Sequence, residues 1–291
     1  MLSDISPVLF ALLAGMLFAL GSQLQNLGLS QLDSRTGSAI SITTSALLYW
    51  AMAPFLLHTS SWVLPAVLIF ALVGVFRPAV SVNLAMKGMH YLGPTLSNTL
   101  SSTSPFFGTA VGVIILGETL TWPIAIGTTG IVGAVLMLSR KNKKIPESWP
   151  LWALALPIGA ALIRSIGHVL TKIGMETVPD PYFASLVSFS VSAVITLSNL
   201  GLRSQNSGLN PRIGSQYWFV AGGICMGCAL LSLNHALLHG QIITTVPIVA
   251  LSPIFTMLMG LFIFKREKFN FRIVAAVLVV VPSVLLIALN R

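Results

Sequence analysis

Ten stretches of about 20 mostly apolar residues follow one another along this chain, and most of the polar joints between them are only a few residues long. They run over 6–28, 36–57, 63–87, 92–116, 120–139, 150–174, 181–200, 215–238, 243–264 and 270–289. A stretch of that length is what a helix needs to cross the hydrocarbon core of a bilayer, and it is too long for a barrel strand. A water-facing surface is out of reach: 55% of the 291 residues are hydrophobic and 8% are charged, against roughly 25% charged in a soluble domain. The expected fold class is therefore all-α integral membrane, with ten transmembrane helices and no separate soluble domain. The residues ahead of the first segment include Asp4 and no base, so that segment is read as a span and not as a signal peptide.

The formal net charge of +9 is not a nucleic-acid footprint, because the bases sit in the joints. They are Arg35, Lys87, the run Arg140-Lys141-Asn142-Lys143-Lys144, Arg203, Arg212, Lys265, Arg266, Lys268 and Arg272. These are the odd-numbered joints, which open on one side when there are ten spans. Lys and Arg collect in cytoplasmic joints. The expectation is a multi-pass protein of the cell (inner or plasma) membrane with both termini outside and the joint 140–149 cytoplasmic. Cys225 and Cys228 form one C-x-x-C inside an apolar segment. A structural zinc takes about four ligands and no second pair exists. The two are read as small packing residues, and neither a metal nor a cofactor is expected.

The chain repeats itself. Ser38, Ser41 and Ser45 in the second segment recur as Ser185, Ser188 and Ser192 in the seventh, 147 residues on. Ser104-Pro105 recurs as Ser252-Pro253, and Gly112 as Gly260, at an offset of 148. Gly21 and Gly28 recur as Gly167 and Gly174 at 146, and Asn83-Leu84-Ala85 resembles Asn234-His235-Ala236 at 151. A nearly constant offset over five features means a duplicated unit of five helices. Five is odd, so the second unit enters the membrane from the opposite face. The expected plan is two inverted five-helix repeats around a central cavity, over 1–140 and 150–291 with a basic joint at 141–149. That is the plan of many secondary transporters, whose sites lie at paired interruptions near the midplane. Pro105 and Pro253 lack a backbone donor and are expected to interrupt the fourth and ninth helices.

The stretch "NLAMKGMHYLGPTLSNTLSSTSPFFGTAVGVIILGETLT" is similar to the end of helix three through helix four of an EamA domain, with Lys87, Pro105 and Gly117-Glu118 at the family's positions. "NHALLHGQIITTVPIVALSPIFTMLMGLFIFKREKF" repeats the pattern with Pro253 and Glu267. As two EamA units the resemblance covers essentially the whole chain. It implies a ten-helix carrier of the drug/metabolite transporter superfamily, with a central cavity and alternating access. Substrates in that superfamily include amino acids, other metabolites, sugar phosphates and nucleotide sugars. The chain departs from the pattern at Ala19-Leu20-Gly21, where an aromatic often precedes the glycine, and at His239, where the first unit has a Lys.

Charges near a bilayer centre are rare and functional by default. Arg77, followed by Pro78, lies near the middle of the third segment, and Arg164 near the middle of the sixth. Arg164, His168 and Lys172 are spaced i, i+4, i+8 and share one stripe. At the repeat offsets Arg77 matches Cys228, Arg164 matches Phe18 and Lys172 matches Asn26, so these charges belong to one half only. The seven acids, Asp4, Asp33, Glu118, Glu147, Glu176, Asp180 and Glu267, all lie at or beyond helix ends. No membrane carboxylate is at hand to neutralise the arginines, whose burial costs at least about 2.5–3.5 kcal/mol each. Water, backbone carbonyls or an anionic substrate must compensate. Guanidinium binds carboxylate and phosphate in bidentate fashion, so a positive cavity and an anionic group on the substrate are expected. Lys87 and Lys172 lie nearer helix ends and are expected to snorkel.

The expected substrate-binding residues are Arg77, Arg164, His168, Asn98, Ser102, Asn83, Gln23 and Asn234. Cation/proton antiport at a membrane glutamate is not expected, and His168 and His235 are the groups available to carry a proton near neutral pH. No H-E-x-x-H or acid/base pair supports an enzyme. The functional expectation is a secondary transporter, an exporter, of a small anionic or zwitterionic metabolite such as an amino acid. The alternative is a flippase or carrier for a phosphorylated or lipid-linked anion. Its partners are then a small-molecule substrate and membrane lipids, with no nucleic acid. A monomer holds both halves and suffices, and a dimer is compatible with it.

Overall fold

The computed structural model describes residues 7–28, 32, 34–81, 84, 87–88, 91–92, 97, 100–139, 150–201, 216–264 and 271–290. Their helices are α1 (Pro7–Gly28), α2 (Ser34–Leu56), α3 (Leu64–Gly74), α4 (Ser104–Leu116), α5 (Trp122–Ser139), α6 (Ala155–Thr177), α7 (Pro181–Gly201), α8 (Gln216–His239), α9 (Ile242–Val249), α10 (Ser252–Phe262) and α11 (Phe271–Leu289). They fall in all ten expected segments, α9 and α10 being two pieces of the ninth. Six spans are long and apolar enough to cross a bilayer, and the other helices are shorter and apolar. The outward faces are apolar as well: Phe55 is 86% exposed, Ile114 80% and Leu278 69%. A helix that is hydrophobic all round needs lipid or protein on every side.

The interior is built where one half grips the other. Ser188 of α7 donates to the carbonyl of Phe70 at 3.0 Å, and Ser192 to that of Gly74 at 2.8 Å. In the other half Ser41 of α2 donates to the carbonyl of Phe219 at 2.9 Å, and Ser45 to that of Gly223 at 2.7 Å. Tyr49 extends this second ladder to the Gly227 carbonyl at 2.7 Å. So the second helix of each repeat is stitched to the third helix of the opposite repeat. The repeated serines are donors, and helix carbonyls, which can accept a second bond, take them. The backbones are close because the accepting helix has a glycine there. A Cβ on Gly74 would lie 2.6 Å from the Ser188 carbonyl oxygen, and one on Gly223 would lie 2.5 Å from that of Ser41.

The repeated glycines of α1 and α6 do a related job. Gly174 makes room for the ring of Phe70, and Gly28 for the ring of Phe219. Both rings are almost fully buried, and Phe70 packs edge-on against Phe183.

Among the described residues, regular α-helix gives way inside three spans, the third, the fourth and the ninth. Beyond Gly74 the third helix continues as a π turn, Val75–Val80, that contains Arg77 and Pro78. The Pro supplies no donor to the i→i−4 ladder, and single π turns inside helices are frequent at functional sites. Its counterpart in the other half, α8, runs unbroken from Gln216 to His239. The fourth and ninth spans are each interrupted by a two-residue turn, at Ser102-Thr103 and at Ala250-Leu251. Each helix restarts with its proline at the first turn, Pro105 in α4 and Pro253 in α10, where the missing N–H would be unsatisfied anyway. The prolines therefore open new helix pieces instead of bending continuous ones.

Candidate functional site

Arg77 leaves the π turn and lays its stem across α6. A Cβ on Gly167 would meet its Cγ and Cδ at 2.8 and 2.9 Å. Gly167 stands between Arg164 and His168 in sequence, so the three cationic or titratable side chains gather at one place. Arg77 and Arg164 are within electrostatic reach of each other, and His168 is within reach of both. Among the described residues Glu118 pairs with Lys172, and no acid pairs with Arg77 or Arg164. The Nε of Arg164 and the Nδ1 of His168 are buried and have no hydrogen-bond partner among the described residues. The next residue, Ser165, donates to the carbonyl of Ser104 at 3.0 Å, which ties the arginine-bearing stretch of α6 to the interruption before α4.

The structural counterpart of Arg77 is Met226, not the expected Cys228. Met226 crosses Gly21 of α1 as Arg77 crosses Gly167 of α6, its Cγ and Cε each 3.2 Å from a Cβ built there. The stitching carbonyls Phe70/Phe219 and Gly74/Gly223 are 149 residues apart, and the same offset carries Arg77 to Met226. One half thus places a thioether where the other places a guanidinium.

The remaining expected site residues divide. Ser102 lies in the turn before α4 and is half-buried. Asn83 and Asn98 lie outside the described residues. Gln23 donates its amide to the Thr256 carbonyl at 2.7 Å and ties α1 to α10. Asn234 donates to Ser185 Oγ at 2.8 Å and to the Pro181 carbonyl at 3.5 Å, with its Oδ1 buried and unpartnered. Both amides bridge helices, the usual occupation of amides in lipid. His235 stacks on Phe10 at 5.2 Å, away from the arginines in the chain's pairing of α1 with α8. Cys228 is exposed on α8 and Cys225 half-buried, so Cys228 is not the packing residue expected of it.

Lys172 does not snorkel. Its ammonium pairs with Glu118 at 2.8 Å and donates to the Gly240 carbonyl at 2.8 Å. Glu118 also accepts the backbone N–H groups of Ile242 and Ile243, at 2.8 and 2.9 Å. These two open α9, where free donors and the helix dipole favour a negative charge. The carboxylate reaches them because Gly117 closes α4 in the left-handed conformation, φ 66°, which turns the chain back on itself. One carboxylate thus clamps the end of α4, the end of α6 and the start of α9. A cavity of about 310 Å³ opens beside this clamp, between Pro7 and Val8 of α1 and the turn from His239 to Gln241. None of the expected site residues lines it.

The family model of the EamA-like transporters matches residues 5–140 and 151–289. The crystal structure of a protein aligns over 97% of this chain and 96% of its own, with a TM-score of 0.82 at 14% identity. At that identity the likeness is one of fold. None of the curated proteins matches the chain.

Proposed function

The chain belongs to the EamA-like transporter family, and from that premise we propose that it is a secondary transporter, an exporter, of a small metabolite bearing a carboxylate or phosphate. One observation carries this reading. Arg77 and Arg164 share a place inside the helical bundle, and no acid among the described residues pairs with either. A guanidinium kept there at a cost of about 2.5–3.5 kcal/mol needs a counter-charge, and a passing anion supplies it. The fourth and ninth spans are interrupted at corresponding places, as in carriers built from inverted repeats. The paired guanidiniums favour one second reading, a carrier for a phosphorylated anion, since phosphate takes bidentate bonds from more than one arginine.

The test is thermal unfolding of the purified protein in detergent with carboxylates, amino acids, phosphorylated metabolites and organic cations. A ligand that binds only the native state raises the melting temperature by mass action. Stabilisation by one anionic class, weakened tenfold or more in apparent affinity by Arg164→Ala, is the expected result. Without ligand, the variant should melt no lower than the parent, because the lost guanidinium is a burden there. Stabilisation by cations, or by the same anions in both proteins, would make Arg164 structural and sink the reading.

On the charge of its joints, the protein sits in the cell membrane with both termini outside and the basic joint 140–149 in the cytoplasm. The clamp at Glu118 then lies at the outer end. A single cysteine introduced by Asn142→Cys, in a background without Cys225 and Cys228, should resist a membrane-impermeant maleimide in intact cells and react after lysis. Labelling in intact cells would reverse the orientation.

A further inference from the structure

The substrate class can be narrowed by counting charge, on the reading that the arginine site takes an anion. Arg77 and Arg164 bring two permanent positive charges, since guanidinium does not lose its proton in proteins. The stem of Arg77 lies against Gly167, next to both Arg164 and His168. His168 can add positive charge and never a negative one. The described carboxylates near α6 are all at its far end: Glu118 is committed to Lys172 and two backbone donors, Asp180 accepts from Ser61, Tyr182 and Phe183, and Glu176 is exposed on the last turn. The opposite half offers Met226 in place of Arg77 and Phe18 in place of Arg164 by sequence offset, and neither counterpart carries a negative charge. A zwitterion would leave the charge of the site unchanged and bring an ammonium toward two guanidiniums. A monocarboxylate would leave one positive charge over.

We propose that the site selects small dianions, molecules carrying two negative charges as a dicarboxylate or a phosphate monoester does, over monocarboxylates and over zwitterions.

Three probes of equal chain length separate the charge states: succinate, butyrate and 4-aminobutyrate, with inorganic phosphate as the compact dianion. Each is titrated against the purified full-length protein in detergent, with melting temperature as the readout. Ionic strength is held constant because divalent anions screen more strongly. Succinate or phosphate should show an apparent affinity at least tenfold above butyrate, with 4-aminobutyrate weakest. Succinate ahead of phosphate assigns two separated carboxylates, and the reverse assigns a single phosphoryl group. Arg77→Met installs what the other half carries over its own glycine, so the variant should fold. In it the dianion and butyrate should bind within about threefold of each other. Arg164→Ala supplies the second arm. If butyrate or 4-aminobutyrate equals the dianions and is lost in Arg164→Ala, the anion site stands and the dianion proposal falls. A dianion preference that survives intact in Arg77→Met also overturns it. No stabilisation by any of the four probes overturns both the proposal and the anion site beneath it.

Discussion

Gly74→Leu is expected to abolish the folded, monodisperse protein, and even Gly74→Ala should lower the melting temperature by on the order of 5–10 °C. In an ordinary helix the change to alanine gains up to about 1 kcal/mol. Here the new Cβ would stand 2.6 Å from the Ser188 carbonyl oxygen, 3.0 Å from Val191 Cβ and 3.1 Å from Ser188 Cα. Two of those three atoms are backbone, so α3 and α7 must separate. Overpacking of this kind costs about 1–3 kcal/mol. Separation also stretches the bonds from Ser188 and Ser192, worth roughly 0.6 kcal/mol each in a membrane protein. Gly133→Ala is the control: nothing lies within 4 Å of a Cβ there, and the helix-propensity gain should appear unopposed. Equal melting temperatures for the two alanine variants would mean that the stitched interface is not tight in solution.

Glu118→Ala should destabilise the protein by about 3–5 kcal/mol, the range for breaking one side of a buried pair. The Glu118 side chain is 7% exposed and that of Lys172 20%, so solvent screening is weak. Removing the carboxylate strands an ammonium and the two N–H groups that open α9. Removing the lysine strands less, because the carboxylate keeps both backbone donors and the favourable end of the helix dipole. The expected order of loss is Glu118→Ala, then Glu118→Gln, then Lys172→Gln. The double variant Glu118→Ala with Lys172→Met should recover part of the loss, since no uncompensated charge remains. Thermal unfolding of the four variants measures the order. A Lys172→Gln variant less stable than Glu118→Ala would place the energy of the clamp in the ion pair and not in the helix start.

The serine triplets and glycine pairs could be read from the chain as repeats, but their purpose could not. Ser41, Ser45, Ser188 and Ser192 bond to backbone carbonyls of the opposite half, and a backbone acceptor leaves no residue-type signature. Ten spans followed from apolar length alone, because length is what a bilayer dictates. The interruptions at Pro105 and Pro253 followed from proline's missing donor, although the chain alone did not say that each helix restarts there. Arg77 and Arg164 were conspicuous as charges, while their meeting over Gly167 depends on how the third and sixth helices pack. Lys172 misled for a definite reason. In the sequence Glu118 is a helix-end acid, and only the left-handed turn at Gly117 swings it back over α9. The Gly-Glu step and a lysine at the end of the sixth span were the available signals. Gln23 and Asn234 belong to the class of polar membrane residues that can equally bridge helices or touch a ligand, and their donors bridge.

The stitching of each second helix to a helix of the other half imposes an order on synthesis. Ser41 and Ser45 find their carbonyls 178 residues further along the chain. At about 5–20 residues per second, α2 waits on the order of ten to forty seconds in the bilayer before α8 emerges. Its hydroxyls need not stay unsatisfied meanwhile: Ser45 is also within 3.0 Å of the Ser41 carbonyl in its own helix. The first five helices therefore form a half-built body whose glycine-lined faces are open to lipid until the last five arrive. A ribosome stalled after α5 would leave a membrane-inserted fragment with its gripping surfaces exposed, ready to pair with a separately synthesised second half.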